Sequence, residues 1–406
     1  RHRVVLHSDD GRCRWQRHHA AMSSTHTTPP AGPLAGLRVV EFAGIGPGPF
    51  AGMMLADMGA DVVVVDRAAD VRPGNKAMAL QRGKRSLALD LKHPDALAAV
   101  WRLLESADAL IEGFRPGVLE RLGLGPDAVA VRCPRLVYGR VTGWGQDGPL
   151  AQAAGHDINY VALSGALSIS RRPGERPVVP PTLLGDMAGG GMFLVFGVVC
   201  ALLEAQRSGR GQVVDAAMID GVNAMAALVH QMRAIGYWRD DPATNFFLNA
   251  SPFYEVFECA DGEHVTLGAI EPPFYAELLR RLGLDDVDPA RQYRTEDWPA
   301  LKARVAARLR EKTRAHWCAL LEGSDACFAP VLGLDEAAAH PHNLARGSMV
   351  EVDGRRQPAP APRLSRTPAR APSRGAVIGE HTDAVLAELG FDAAAIAVLR
   401  QTKACA

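Results

Sequence analysis

Apolar residues in the first third of the chain fall in short runs separated by stretches of helical spacing. The run at 37–42 (Leu-Arg-Val-Val-Glu-Phe) predicts a strand. A turn rich in glycine and proline follows, Gly44-Ile45-Gly46-Pro47-Gly48-Pro49, and residues 50–58 then have helical spacing closed by Gly59-Ala60-Asp61. Val62-Val63-Val64-Val65 is apolar at every position, the pattern of a strand buried on both faces, and it ends at Asp66-Arg67. Strand, helix, strand is a β-α-β unit, which requires parallel pairing. The alternation continues with a strand at 86–91, a helix at 94–106, a strand at 109–111, a short helix at 119–122 and a strand at 136–138. Such alternation predicts an open α/β fold, a Rossmann-like parallel sheet that binds ligands at the carboxyl ends of its strands.

The pattern changes after Gly155. Helices are predicted at 159–167, 187–204 and 221–236, the second apolar all round and therefore expected to be buried. Residues 254–259 and 264–268, joined by Asp261-Gly262, read as a hairpin, followed by helices at 274–282 and 298–309. This is a smaller α+β unit. Residues 358–372 are proline-rich and read as a surface return segment, before terminal helices at 384–389 and 393–399. The expected division is a lead at 1–31, a large α/β domain beginning at 32–225, a small domain at 226–335, and a segment at 336–406 completing the large domain. No repeat of fixed period is present.

At 406 residues the chain exceeds one ordinary core, which agrees with two domains. Lys plus Arg and Asp plus Glu both number 45, so no global charge draws the protein to nucleic acid or to an anionic membrane. The longest apolar run, 192–203, is shorter than the roughly 18 residues of a membrane span and suits a buried helix. Seven scattered cysteines without C-x-x-C spacing argue against a disulfide framework or a zinc site and fit a reducing, cytoplasmic location. Residues 1–21 are rich in Arg and His and lack the apolar core of a secretory signal; they read as upstream sequence before an ordinary start at Met22. Lys403-Ala404-Cys405-Ala406 is not the Ser-Lys-Leu peroxisomal address.

Several segments carry chemistry. Gly46-Pro47-Gly48-Pro49-Phe50-Ala51 matches G-x-G-x-x-A formally, with Asp66 twenty residues past Gly46, as in a dinucleotide fingerprint. Two prolines without N–H groups weaken that reading, because the turn would have to donate to pyrophosphate. A tight strand-to-helix turn is the plainer alternative. Arg82-Gly83-Lys84-Arg85 and the lone Arg67 could meet phosphate or could face solvent. His156, in Gly155-His156-Asp157-Ile158-Asn159-Tyr160, stands where a helix is expected to begin, so free N–H groups would point at a bound ligand; a structural histidine is the plain alternative. Asp186, in Gly185-Asp186, precedes Gly189-Gly190-Gly191; it could cap a helix, act as an acid/base group, or both, with the glycines admitting substrate close to the backbone. Glu271 precedes Pro272-Pro273 and is either a surface carboxylate or one turned into a cleft.

Taken together, these segments resemble the family III CoA transferases (the CaiB/BaiF superfamily), and among them the α-methylacyl-CoA racemases, over roughly residues 32–366. The resemblance implies an interlocked homodimer acting on an acyl-CoA thioester, with no metal, no redox cofactor, no nucleic acid and no membrane. It implies that His156 and Asp186 exchange the α-proton on opposite faces, that Asp157 offers an N–H to the enolate oxygen, and that Glu271 orients His156. It further implies that Ile45, Arg67, Leu89-Asp90-Leu91-Lys92, Arg115, Arg121, Gly155, Ile158, Asn159 and Tyr160 contact coenzyme A. Met187, Met192, Phe193, Met218 and Met225 would offer apolar surface to the acyl chain. The rival within the family is a CoA transferase with Asp186 as covalent nucleophile, which gives His156 no necessary task. A CoA-binding module without chemistry would leave His156, Asp186 and Glu271 unexplained, and an NAD dehydrogenase is the weakest reading.

Overall fold

The computed structural model describes residues 32–406; the expectations for 1–31 lie outside the described residues. Six strands form one parallel sheet: β1 (Arg38–Phe42), β2 (Asp61–Arg67), β3 (Arg85–Leu89), β4 (Ala109–Glu112), β5 (Val137–Thr142) and β6 (Val213–Ala217). Their spatial order is β3-β2-β1-β4-β5-β6, with every adjacent pair parallel. The order reverses between β1 and β4, and a crevice opens at such a switch point beyond the carboxyl ends of the strands.

The period of two along each strand decides which layer each residue joins. Val40, Val63 and Leu110 face one core, with α2 (Pro94–Glu105), while Val39, Val62 and Ile111 face the other, with α1 (Pro47–Asp57). The fold is therefore helices on both sides of a mixed-facing sheet, the α/β class expected. Short helices α3 (Val118–Arg121) and α4 (Pro126–Arg132) link β4 to β5. The terminal helices α14 (Thr382–Glu388) and α15 (Ala393–Gln401) place Val385, Leu386 and Leu399 in the first of these cores.

A third core, from Phe246 to Ala326, is separate from the other two. It holds an antiparallel sheet of β7 (Tyr254–Glu258), β8 (His264–Gly268) and β9 (Phe328–Pro330), packed by α9 (Pro272–Leu282), α10 (Trp298–Leu309) and α11 (Arg314–Leu321). The predicted hairpin is thus two strands of three. Helices α12 (Leu334–Ala339) and α13 (Pro341–Arg346) lead to a second hairpin, β10 (Met349–Val352) with β11 (Arg355–Pro358).

Beyond Gly155 the predicted helices are redrawn. The helix predicted at 159–167 is α5 (Asp157–Leu163), followed by a separate 3-10 turn, Ala166–Ile169. The one predicted at 221–236 is two, α7 (Met218–Met225) and α8 (Ala227–Ala234), broken at Ala226. The one predicted at 187–204 begins earlier, as a π-helix over Leu183–Met192, and continues as α6 (Phe193–Ser208). That stretch, Leu183–Ser208, is 26 residues and contains an 18-residue window with a mean hydropathy of 1.9, long and apolar enough to cross a membrane by length and composition alone. The sequence expectation of no such segment, and of a helix buried all round, is corrected on both counts. Leu194, Val198, Ala201 and Leu202 bury against the sheet, but Phe196 is 68% exposed and Met192, Val199 and Leu203 continue its stripe along the outer face.

A buried ionic layer lies under the first turn of α1. Lys84 Nζ bonds Glu41 Oε2 at 2.6 Å and donates to the carbonyl of Pro49 at 2.9 Å, with both side chains essentially inaccessible. Burial pushes Glu41 up and Lys84 down, each toward its neutral form, and their mutual attraction opposes this. Glu41 Oε1 has no partner among the described residues. Removing one member of such a pair strands the other, which costs about 3–5 kcal/mol, whereas an apolar pair of similar volume costs far less. Urea unfolding of Lys84→Ala is therefore expected to show a loss in that range, with Glu41→Leu/Lys84→Met markedly more stable than Lys84→Ala. Equal losses for the two proteins would refute a stranded charge as the cause.

Candidate active site

The site is built where α5, the π-helix and the β1–α1 turn converge. Gly155 and Gly143 leave room for the Tyr160 ring: a Cβ on Gly143 would lie 2.0 Å from it and one on Gly155 2.8 Å from it. Tyr160 packs edge-on against Trp144 at 4.7 Å, and its hydroxyl donates to the carbonyl of Gly155. The chain entering α5 is thereby fixed. His156 is the N-cap in extended conformation, and its own N–H donates to Asn159 Oδ1 at 3.0 Å. The N–H groups of Asp157 and Ile158 carry no partner among the described residues. They sit in the first turn of a helix, where orphan donors and the helix dipole favour negative charge.

Asp157 contributes more than an N–H. Its side chain is buried, and Oδ1 accepts from the N–H groups of Gly185 at 2.7 Å and Asp186 at 2.8 Å. A Cβ at Gly185 would lie 2.7 Å from that oxygen, so only glycine permits the approach. The residue after His156 thus holds the backbone of Asp186 directly. Asp186 lies in the first turn of the π-helix rather than at its N-cap, which is Thr182, and this corrects the capping alternative. Its carboxylate points toward Gly46, whose Cβ would lie 3.4 Å from Oδ2. Burial pushes the Asp186 carboxyl above its usual range, the neighbouring Asp157 charge adds to this, and His156 opposes it. A carboxyl moved toward neutrality beside an imidazole is suited to both accepting and giving a proton.

The glycine triplet has a packing role instead of the expected substrate contact. Gly189, Gly190 and Gly191 are buried, and their missing Cβ atoms would meet Met218 of α7, Pro47 and Phe50 of α1. Met218 is buried by this packing and is removed from the expected apolar acyl surface, whereas Met192 and Met225 are exposed. The first turn of α1, with Pro47 and Pro49, keeps few N–H groups, so the G-x-G-x-x-A match is a packed strand-to-helix turn.

Beyond the carboxyl ends of β1, β2 and β3 lies a cavity of about 840 Å³. Arg67, Leu89, Asp90, Leu91, Lys92 and Arg121 line it together, although they come from three separate segments of the sequence. Arg115 and Ile45 do not line this cavity. Arg115 is near enough to Tyr160 to lower its pKa, which burial first and the Asp186 charge second have raised. Ile45 is exposed next to Gly46, and Ile158 is exposed two residues after His156. The sequence reading missed the other wall of the cavity: Lys403, Cys405 and Ala406 line it. No local pattern announces a wall contributed from some 300 residues away.

Glu271 is the one expected catalytic residue that stands apart. It is the exposed N-cap of α9 in the third core, with Tyr293 and Cys327 within reach of its charge. No hydrogen bond joins it to His156 among the described residues. The Tyr293 hydroxyl, pushed up to about 12 by burial first, donates to the carbonyl of Ile270 at 2.6 Å beside it. Among the described residues no group of three or more His, Cys, Asp or Glu is placed to hold a metal ion.

Comparison with known proteins bears on this arrangement. The sequence pattern of CoA-transferase family III matches residues 34–382. The chain is 46% identical to the α-methylacyl-CoA racemase of Mus musculus, over 88% of this chain and 93% of that protein. It is 44% identical to the α-methylacyl-CoA racemase of Homo sapiens, over 91% and 97% respectively. A CaiB/BaiF family protein from Brucella suis has the same fold, with a TM-score of 0.76 at 27% identity over 88% of this chain and all of that one.

The Asp157 carboxylate should be separable from its neighbours. Asp157→Asn keeps an acceptor oxygen and removes a like charge, so the Asp186 pKa is expected to fall, as read by ¹³C NMR titration of the carboxyl groups. Asp157→Ala leaves two N–H groups without an acceptor, at about 1–3 kcal/mol each, and should unfold at lower denaturant. An Asp186 titration that stays put or rises in Asp157→Asn would refute the contact as a source of its raised pKa.

Proposed function

This chain belongs to CoA-transferase family III, and we propose that within that family it is an α-methylacyl-CoA racemase, interconverting (R)- and (S)-2-methylacyl-CoA thioesters. The observation that carries the chemistry is one histidine and one carboxyl bound to adjacent backbone through Asp157. The thioester carbonyl acidifies the α-hydrogen. One base removes that proton, the electron pair delocalises onto the thioester oxygen, and the other base returns a proton to the opposite face of the same carbon. His156 acts first on the S-epimer and Asp186 on the R-epimer. The free N–H groups of Asp157 and Ile158 are the donors available to the enolate oxygen, whose charge grows only in the transition state. No redox cofactor enters this scheme, since the proton is the only species moved.

The nucleotide of coenzyme A is assigned to the cavity lined by Arg67, Leu89 to Lys92 and Arg121. Guanidinium and ammonium groups suit phosphates through charge-assisted hydrogen bonds. The pantetheine arm then runs along the β1–α1 turn past Ile45 toward Asp186, with Gly155, Ile158, Asn159, Tyr160 and Arg115 alongside. The rival, a CoA transferase forming an anhydride on Asp186, leaves His156 idle. Incubation of (S)-2-methylacyl-CoA in D₂O without any free carboxylic acid is expected to yield both epimers carrying deuterium at C2. His156→Ala should slow exchange from the S-epimer by at least about 10²-fold, the scale of a lost general base. Label that appears only after a carboxylic acid is added would establish the transferase.

We further assign the working unit to an interlocked homodimer of two-domain subunits. Two observations support it. The exposed stripe Met192, Phe196, Val199 and Leu203 leaves an apolar helix face uncovered, and Glu271 finds no His156 within its own chain. A partner subunit would cover the first and supply the second. The six cysteines among the described residues are free, which supports a reducing compartment, the cytosol. Co-refolding His156→Ala chains with Glu271→Ala chains is expected to restore activity above either parent, because one mixed site receives both native residues. Mixed dimers that form and recover nothing would place each complete site within one chain.

A further inference from the structure

The nucleotide cavity is walled on one side by a segment that the sequence motifs do not touch. After α15 the chain turns at Lys403, whose φ is 62° although it is not glycine. Helix ends commonly use this left-handed conformation, but glycine or asparagine adopts it at least cost. The following residues are then fastened to the end of β3. The N–H of Asp90 donates to the carbonyl of Ala404 at 2.9 Å, that of Ala406 donates to Ala88 at 3.2 Å, and Leu89 bridges Cys405. Ala404 and Cys405 are buried, and the Thr382 hydroxyl donates to the carbonyl of Ala406 at 2.8 Å. The tail is therefore a fixed wall, and Lys403 stands at its start with its side chain exposed.

Four cationic side chains line this cavity: Arg67, Lys92, Arg121 and Lys403. Many arginines elsewhere in the fold bond a carboxylate, as Arg82 bonds Asp57 and Arg140 bonds Glu112. Among the described residues none of the four cavity side chains has an ion-pair partner. The acidic residues of the lining, Asp66 and Asp90, accept from the Ser86 hydroxyl at 2.5 Å and from the backbone N–H of Lys92 at 3.1 Å. Positive charge is left in surplus around a space large enough for a nucleotide. We propose that Lys403 is a phosphate-binding residue of the acyl-CoA site, so that the tail after α15 contributes to substrate affinity. This rests on the assignment of the cavity to the coenzyme A nucleotide.

The test compares full-length wild type with Lys403→Gly, which removes the ammonium group while suiting the positive φ, and with Lys403→Arg, which keeps the charge. Two probes are used: a 2-methylacyl-CoA and the same acyl group on pantetheine, which lacks the nucleotide. Lys403→Gly is expected to raise KM for the CoA thioester about tenfold, the lower end for one charge-assisted hydrogen bond. Its kcat should be unchanged, as should its KM for the pantetheine thioester, and Lys403→Arg should recover most of the affinity. Unchanged KM for the CoA thioester, while Arg67→Ala and Arg121→Ala weaken it, would overturn the role of Lys403 and leave the cavity assignment standing. Unchanged KM in all three variants would overturn the cavity assignment itself. A Lys403→Gly loss equal for both thioesters would show a structural effect of the tail and also overturn the proposal.

Discussion

One carboxylate oxygen, Oδ1 of Asp157, accepts from two successive N–H groups and so ties the start of α5 to the first turn of the π-helix. The residues that would perform the chemistry are neighbours of this contact, one residue before it and at its far end. Their backbones are therefore held in a fixed relation by hydrogen bonds. The surrounding glycines serve the same end. Gly185 lets the carboxylate in, Gly143 and Gly155 admit the Tyr160 ring, and Gly189 lies against Gly221, whose Cβ would fall 2.0 Å from the Gly189 carbonyl oxygen. Close backbone packing of this kind leaves little freedom for the π-helix to shift, which suits the proposed proton exchange on two faces of one carbon.

The buried ionic layer works on the opposite side of the same turn. Lys84 is bonded to Glu41 at the end of β1 and to the carbonyl of Pro49 in the first turn of α1. It fixes the loop that brings Gly46 up to Asp186. A lysine held this way is removed from ligand binding, although it lies in the basic segment Arg82-Gly83-Lys84-Arg85. Arg82 is likewise buried on Asp57, and Arg85 is bonded to Asp61 and Glu388. The basic run is structural, and the charge that faces the cavity comes from residues that look isolated along the chain.

What the sequence made legible follows from this contrast. The parallel sheet was readable because Val62 to Val65 are apolar at every position and helical spacing flanks them. The start of α5 at His156 was readable from its glycine and from the polar residues beside it. β6 escaped notice because Asp215 interrupts its apolar run and because, as an edge strand, it buries little. The glycine triplet shows only that something comes close, and the pattern could not say whether that was substrate or a helix. The outer stripe of α6 reads as core because sequence reports apolarity, not what covers it. The wall of the cavity formed by Lys403 to Ala406 depends on contacts with Ala88, Leu89 and Asp90. No periodicity encodes a pairing across so long a stretch of chain.

The same tail also alters the character of the sheet. β3 stands at one end of the strand order, where a row of unpaired backbone groups would ordinarily be open to any passing strand. Ala404 and Ala406 engage the N–H of Asp90 and the carbonyl of Ala88, and Arg82 bridges Gly375 just before the strand begins. The exposed edge is thereby closed at both ends by the chain's own return. The segment that walls the cavity thus also guards the sheet against edge-to-edge association, so loss of residues 404–406 would cost solubility as well as the cavity wall.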